Sequence, residues 1–307
     1  MNGFEEFAQA ARAAAGARQR RLPLERLREL VRTAPPTLDA AAVLRSRGRA
    51  VSVIAEVKRA TADFADLTGV GDVAVLARFY EDGGAACVSV VTEPLRSHGA
   101  LEDLDAVRGA VDVPVLVNDL VVTPYQVHEA RAHGADLLML DARTATLVLE
   151  SLIDRTHSLG MLAVVGVHSR REALTAVHAG ARALAVDARD PDTRAVDRSR
   201  FEQVAEVLPG STIRIAAGGV SGAHDVMNYA RAGADVVLVG EAVIRPARSA
   251  QCGRDRRPDR SRRPGRSEHG TAGRRECPRA RPAWPRPGPS PRCRPGRGSA
   301  GRSTTRR

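Results

Sequence analysis

Lysine is almost missing from this chain. Of its 47 basic side chains, 46 are arginine and one, Lys58, is lysine. Arginine is a rigid, permanently charged fork, whereas lysine is a compact point charge with a tunable pKa. The single position that keeps lysine is therefore expected to need it for contact or for chemistry. Long apolar runs are missing too. None approaches the roughly 18 residues of a membrane-crossing helix. Met1 to Ala10 carry Glu5 and Glu6 and no apolar stretch, so no secretory signal is expected. Cysteine is scarce: Cys87 lies in an apolar run, and Cys252, Cys277 and Cys293 fall in the last quarter. Their spacing fits neither a zinc site nor a disulfide framework, so a reduced, cytoplasmic protein without a metal is expected.

The net charge of +11 is unevenly spread. Residues 251–307 hold 18 Arg and 4 acids and carry +14, which leaves residues 1–250 at −3. That tail also has 9 Pro and 8 Gly and hardly any aliphatics, so it is expected to be disordered. It is the one segment whose Arg clusters suit a nucleic-acid or acidic partner. A reading-frame slip in a GC-rich gene yields the same composition, and that reading is preferred here.

Eight short apolar runs punctuate the rest: 51–58, 87–93, 114–119, 137–142, 162–168, 183–189, 214–219 and 236–241. Nearly continuous Val, Ile, Leu and Ala suits strands buried on both faces of a parallel sheet. Amphipathic stretches at 72–83, 101–111, 123–133, 145–159, 170–179, 197–208 and 223–232 alternate with them. A Gly-Ala pair recurs at Gly84-Ala85, Gly134-Ala135, Gly180-Ala181 and Gly233-Ala234, once per βαβα unit. Glycine there ends a helix in the left-handed conformation and turns the chain into the next strand. Four such quarter-turns close a ring of eight, so the fold class expected is α/β, a (β/α)8 TIM barrel over 51–246. A helical extension (1–50) precedes it, with two helical segments between Phe4 and Ala34, placed either across the barrel bottom or beside the active-site face. The eighth helix should start where the tail (247–307) begins, and it is expected to be missing.

In such barrels the active site lies at the C-terminal strand ends. Those ends nominate Glu56 and Lys58, which alternation points to one side, then Asn118-Asp119, Asp187 and Arg189, Ala217-Gly218-Gly219, and Gly240-Glu241. Glycines after the seventh and eighth strands let backbone amides approach a phosphate. A small phosphorylated ligand is expected there. His128 and His133 are expected on a helix surface, and Tyr125 as packing under that helix.

The stretches Ile54–Ala60, Val113–Leu116, Tyr125–Arg131 and Ala232–Glu241 resemble the indole-3-glycerol phosphate synthase family of tryptophan biosynthesis. The resemblance runs from about residue 4 to 245. It implies a carbon–carbon lyase that closes the indole ring of a carboxyphenylamino-deoxyribulose phosphate with loss of carbon dioxide and water, using no cofactor. It implies catalytic places for Glu56 and Lys58, phosphate contacts at Gly219 and Gly240 with Glu241 beside them, and a ligand contact at Arg189. Departures stand beside these matches. The family's general-acid lysine is Asn118 here, its strand-five Glu is Gly166, its strand-six Asn is Asp187, and its Glu-Ser-Gly is Ala217-Gly218-Gly219. General acid–base groups contribute about 10²–10⁴-fold each. The expectation is a barrel that binds a sugar phosphate through Lys58, Arg189, Gly218, Gly219, Gly240 and Glu241, with the ring-closing reaction lost or altered. Glu56, Lys58, Asp119 and Asp187 remain for chemistry. The alternatives are a working synthase with a rewired acid and a non-catalytic binding or scaffold protein. A monomer is expected.

Overall fold

The computed structural model describes residues 3–45, 51–60 and 72–244. The tail with its cysteines and Trp284, the place of an eighth helix, and the loop after the first strand (Thr61 to Asp66) lie outside the described residues.

Eight strands form where the apolar runs stand: β1 (Ser52–Val57), β2 (Cys87–Val91), β3 (Val115–Asn118), β4 (Leu137–Asp141), β5 (Leu162–Val167), β6 (Ala183–Asp187), β7 (Ile213–Ala217) and β8 (Val236–Val239). All neighbours are parallel, and β8 pairs with β1 to close the barrel. Alternation sends one set of side chains inward. Ile54, Cys87, Leu116, Leu137, Leu162, Val164, Ile213, Ile215 and Val236 fill the interior as one apolar cluster. The other set meets the surrounding helices in a larger cluster.

Those helices are α4 (Val73–Asp82), α5 (Leu101–Arg108), α6 (Pro124–Ala132), α7 (Thr146–Ser158), α8 (Arg170–His178), α9 (Ser199–Ala205) and α10 (Ala223–Arg231). Their starts follow from local chemistry. Asp72 and Ser169 accept amides of the first turn, and Thr123 with Gln126 forms a reciprocal capping box ahead of Pro124. Their ends follow from the repeat: Gly84, Gly134, Gly180 and Gly233 have φ of 91°, 86°, 91° and 91°. Gly160 does the same before β5 with φ 81°, without the alanine that marked the others.

The N-terminal extension takes both of its expected places. It comprises α1 (Gly3–Arg21), α2 (Leu24–Thr33) and a short α3 (Ala40–Leu44) that the sequence pattern did not reveal. Ala40 and Leu44 join the interior cluster from below, so α3 plugs the barrel bottom. Leu38 N–H donates to Asp136 at 2.8 Å, Thr37 Oγ1 to the Gly160 carbonyl at 2.9 Å, and Arg45 to the Ser211 carbonyl at 3.1 Å. At the opposite end, Arg143 stacks over Phe4 at 4.4 Å and Arg96 over Phe7 at 4.1 Å, which puts the start of α1 at the mouth. Between them, Tyr125 packs on Ala15 and Leu27, and its hydroxyl donates to the Leu22 carbonyl at 3.1 Å.

His128 is a correction. It is buried beneath the extension, because α2 covers the α6 face that would otherwise meet water. Burial pushes its pKa down, and Arg155 and Arg28 add to the effect. His133 is half-buried and pairs with Asp105 at 2.8 Å.

Candidate active site

Each residue nominated from the strand ends reaches a single cavity of about 660 Å³ at the C-terminal face. Its centre is the end of β1. Glu56 is 5% exposed, and its Oε1 stands 3.1 Å from Lys58 Nζ. Its Oε2 accepts Asn118 Nδ2 from β3 at 2.9 Å. One carboxylate thus holds the lone ammonium and the strand-three amide together. Lys58 Nζ also lies 3.8 Å from Glu241, whose other oxygen meets Arg189 Nη2 at 3.3 Å. This chain of alternating charges links β1, β3, β6 and β8. Tyr80 supports it from behind the strand, donating to the Glu56 carbonyl at 3.5 Å. Burial, with the Glu56 charge behind it, pushes that phenol well above its usual range.

Glycine makes room at two points. A Cβ at Gly240 would stand 2.9 Å from Lys58 Nζ and 3.0 Å from Glu56 Oε1. A Cβ at Gly218 would stand 2.1 Å from Asp187 Oδ1, and Gly218 and Gly219 have φ of 73° and 64°. The Gly218-Gly219 backbone is clamped from outside. Tyr229 donates to the Gly218 carbonyl at 3.3 Å, and Arg198 donates to the Gly219 carbonyl at 2.6 and 3.0 Å. Burial raises the Tyr229 hydroxyl to about 12.

Asp187 Oδ1 accepts the Arg189 amide at 2.8 Å, and Arg200 holds the Asp187 and Arg189 carbonyls at 3.0 and 3.1 Å. Asp119 lines the cavity but joins a different partnership. It accepts Thr92 Oγ1 at 3.1 Å and the Leu120 amide at 2.7 Å. Burial raises its carboxyl, while those hydrogen bonds and Arg18 pull the other way. Gly166 and Ala217 bring no functional group to the mouth.

The strand ends contain more than the sequence reading took from them. Glu93, just past β2, is buried and gathers the amides of Leu95, Arg96 and Ser97 at 2.5–3.0 Å. Gly99 closes that loop so tightly that a Cβ would lie 2.1 Å from the Val91 carbonyl oxygen. Asp141 pairs with Arg143 at 2.6 Å after β4, and Glu172 accepts the His168 amide at 2.6 Å after β5. For Glu93 and Asp141 the signal was available, since each is a charged residue at or just beyond a strand end; Glu172 lies within α8. Among the described residues no group of three His, Cys, Asp or Glu is arranged to hold a metal ion, and no helix is long and apolar enough to cross a membrane.

Comparison with known proteins gives this geometry a family. Residues 4–254 match the family model described as indole-3-glycerol phosphate synthase. The chain is 50% identical over 243 residues to the indole-3-glycerol phosphate synthase of Mycobacterium avium (strain 104), covering 79% of this chain and 89% of that protein. It is 50% identical over 242 residues to the synthase of Mycobacterium tuberculosis (strain CDC 1551 / Oshkosh), covering 78% and 88%. Among solved structures, N-acetylmannosamine-6-phosphate 2-epimerase from Clostridium perfringens superposes with TM-score 0.53 at 17% identity, over 66% of this chain and 92% of that one. The 3-hexulose-6-phosphate synthase from Salmonella typhimurium superposes with TM-score 0.52 at 18% identity, over 66% and 99%. At such identities these two likenesses concern the fold alone. The family match across most of the sequence, together with relatives sharing half of the aligned positions, makes this chain a member of the indole-3-glycerol phosphate synthase family.

Proposed function

We propose that this chain carries out its family's reaction, closing the indole ring of a carboxyphenylamino-deoxyribulose phosphate, with Lys58 in the role of general acid. The observation that carries this reading is the Glu56 carboxylate, which holds Lys58 Nζ at 3.1 Å and Asn118 Nδ2 at 2.9 Å. The one ammonium of the chain therefore stands a single carboxylate away from position 118. Half identity to proteins named for this reaction weighs in the same direction, against the expectation that the chemistry is lost.

In this reading Lys58 protonates the ketone oxygen as the aryl carbon bearing the carboxylate attacks the ketone carbon. Carbon dioxide leaves and restores the aromatic ring. The new hydroxyl then departs as water, driven out by the ring nitrogen's lone pair and taking a proton from Lys58 once solvent has recharged it, while Asp187 removes the proton from the adjacent ring carbon. Glu56 aims Lys58 at the ketone. The phosphate sits against Gly218, Gly219 and Gly240, and Arg189 and Lys58 exchange part of their pairing with Glu241 for it. Residues 1–50 serve as an extension bracketing the barrel of 51–246.

A second reading is favoured by Asn118, Gly166 and Ala217. An amide releases no proton at neutral pH, and the other two carry no polar side chain. There the barrel binds its ligand without closing the ring. Fluorescence detection of indoleglycerol phosphate, with the purified full chain and the carboxyphenylamino substrate, separates the two. Turnover near ordinary enzyme rates is expected. Saturable ligand binding without turnover establishes the second reading instead.

A further inference from the structure

The glycine strap after β7 is held by its carbonyls, and this fixes where its amides point. Its peptide bonds are trans, so each carbonyl and the N–H of the next residue face opposite ways. Gly218, Gly219 and Val220 line the cavity, while Tyr229 and Arg198 stand behind them. The Gly218 carbonyl accepts the Tyr229 hydroxyl, which turns the Gly219 N–H towards the cavity. The Gly219 carbonyl accepts both Nε and Nη2 of Arg198, at 3.0 and 2.6 Å, which turns the Val220 N–H the same way. Asp225 ties this clamp to the next turn of the strap. It lies 3.4 Å from Arg198 Nε and accepts the Ser221 amide at 2.8 Å and the Ser221 hydroxyl at 2.6 Å. The loop that ends in Arg198 is the one that begins at Arg189. The Asp197 amide donates to the Ala188 carbonyl and the Asp190 amide to the Ala195 carbonyl, both at 2.8 Å, so the loop is pinned across its base. It therefore lays Arg189 inside the mouth and Arg198 behind the strap.

We infer that Arg198 is a positioning residue for phosphate recognition, acting through the Gly219 carbonyl to aim and strengthen the Val220 N–H donor. The inference rests on the proposed placement of the ligand phosphate at the glycines. Two consecutive glycines with φ of 73° and 64° have no side chain to hold them in one conformation, so the order of the strap has to come from its partners. A guanidinium on a peptide carbonyl draws electron density to that oxygen and leaves the N–H of the same peptide a better donor. Arginine supplies this at any working pH, because it stays charged. Arg189 meets the phosphate itself, whereas Arg198 sets the backbone that meets it.

The test is calorimetry on the full chain with two unreactive analogues whose ketone is reduced to an alcohol, one carrying the phosphate and one a free hydroxyl in its place. Arg198→Met should weaken the phosphorylated analogue about tenfold and leave the other within about twofold. Arg198→Lys keeps the charge without the paired donors, and its affinity should fall between wild type and Arg198→Met. In steady-state kinetics KM should rise with kcat little changed. Tyr229→Phe repeats the test at the Gly218 carbonyl while keeping its ring edge-on to Phe201, should the first variant fold poorly. Its loss should be about threefold and again confined to the phosphorylated analogue. Equal weakening of both analogues makes Arg198 a general support of the fold and overturns the inference. Unchanged affinity for the phosphorylated analogue in a folded variant also overturns it. A wild type that binds the two analogues equally overturns the proposed placement of the phosphate, and the inference with it.

Discussion

The two sides of the barrel mouth are built from the same kind of strand and differ in what their last inward residue carries. On the β1 side, Glu56, Lys58, Asn118 and Glu241 form a connected chain that reaches across the mouth to Arg189 beyond β6. On the β4–β7 side, Gly166 and Ala217 carry no polar side chain, while Asp141, His168, Asp187 and Arg189 line the same cavity singly or in short-range pairs. An eight-stranded ring thus keeps its closure while one arc holds a continuous ion-paired chain and the other alternates charged groups with small residues. Closure depends on backbone pairing and on the interior layers below. The mouth residues are consequently free to diverge. What replaces a functional group on one arc has to be sought among the survivors on the other.

The most decisive test gives position 118 an ammonium. Asn118→Lys beside Glu56 should change turnover less than tenfold if Lys58 already serves as the acid. A rise of about 10²–10⁴ would show that acid catalysis had been missing, so steady-state kinetics decides between the two readings. The converse, Lys58→Ala, should lower both turnover and phosphorylated-ligand affinity by about 100-fold or more. Glu56 keeps its Asn118 partner, so the melting temperature should shift only modestly. Unchanged affinity by calorimetry would remove Lys58 from the phosphate site.

A smaller effect lies at the seam between the arcs. Gly218→Ala places a Cβ against Asp187 Oδ1 in a backbone with φ 73°. Denaturant titration should show a loss of about 1–3 kcal/mol, accompanied by weaker ligand binding as Asp187 is displaced. Asp187→Ala in the same background should recover part of that stability. The smallest effect lies outside both arcs. His128 is held neutral by burial, with a folded pKa below the unfolded value of about 6.5. The stability it contributes is present above that value and lost as pH falls below it. His128→Gln should flatten the decline of melting temperature between roughly pH 7 and 5, where wild type and variant can be compared directly. An unaltered slope would assign the decline to His157, whose pKa burial also lowers.

Much of this was readable in advance because it is periodic. Strands buried on both faces leave nearly continuous apolar runs. A left-handed helix ending leaves glycine at a fixed place, as at Gly84, Gly134, Gly180 and Gly233. Gly160 escaped the repeat because its neighbour is Met161. The short α3 escaped because five residues, Ala40–Leu44, are too few to show a helical period. His128 was misplaced for a related reason: a polar residue on a helix reads as surface until another helix, here α2, is known to cover it.

The amino-acid sequence by itself determined the closed barrel, the family and the roll of mouth residues, since each of these is encoded in local pattern or in matched motifs. Only the tertiary structure decided how those residues are partnered. It joined Lys58 to Asn118 through Glu56, turned Asp119 aside to Thr92, and tied Lys58 across the barrel to Glu241 and Arg189. Such pairings join residues as distant in the chain as Lys58 and Glu241. They exist only once eight strands have closed and brought their ends within hydrogen-bonding distance.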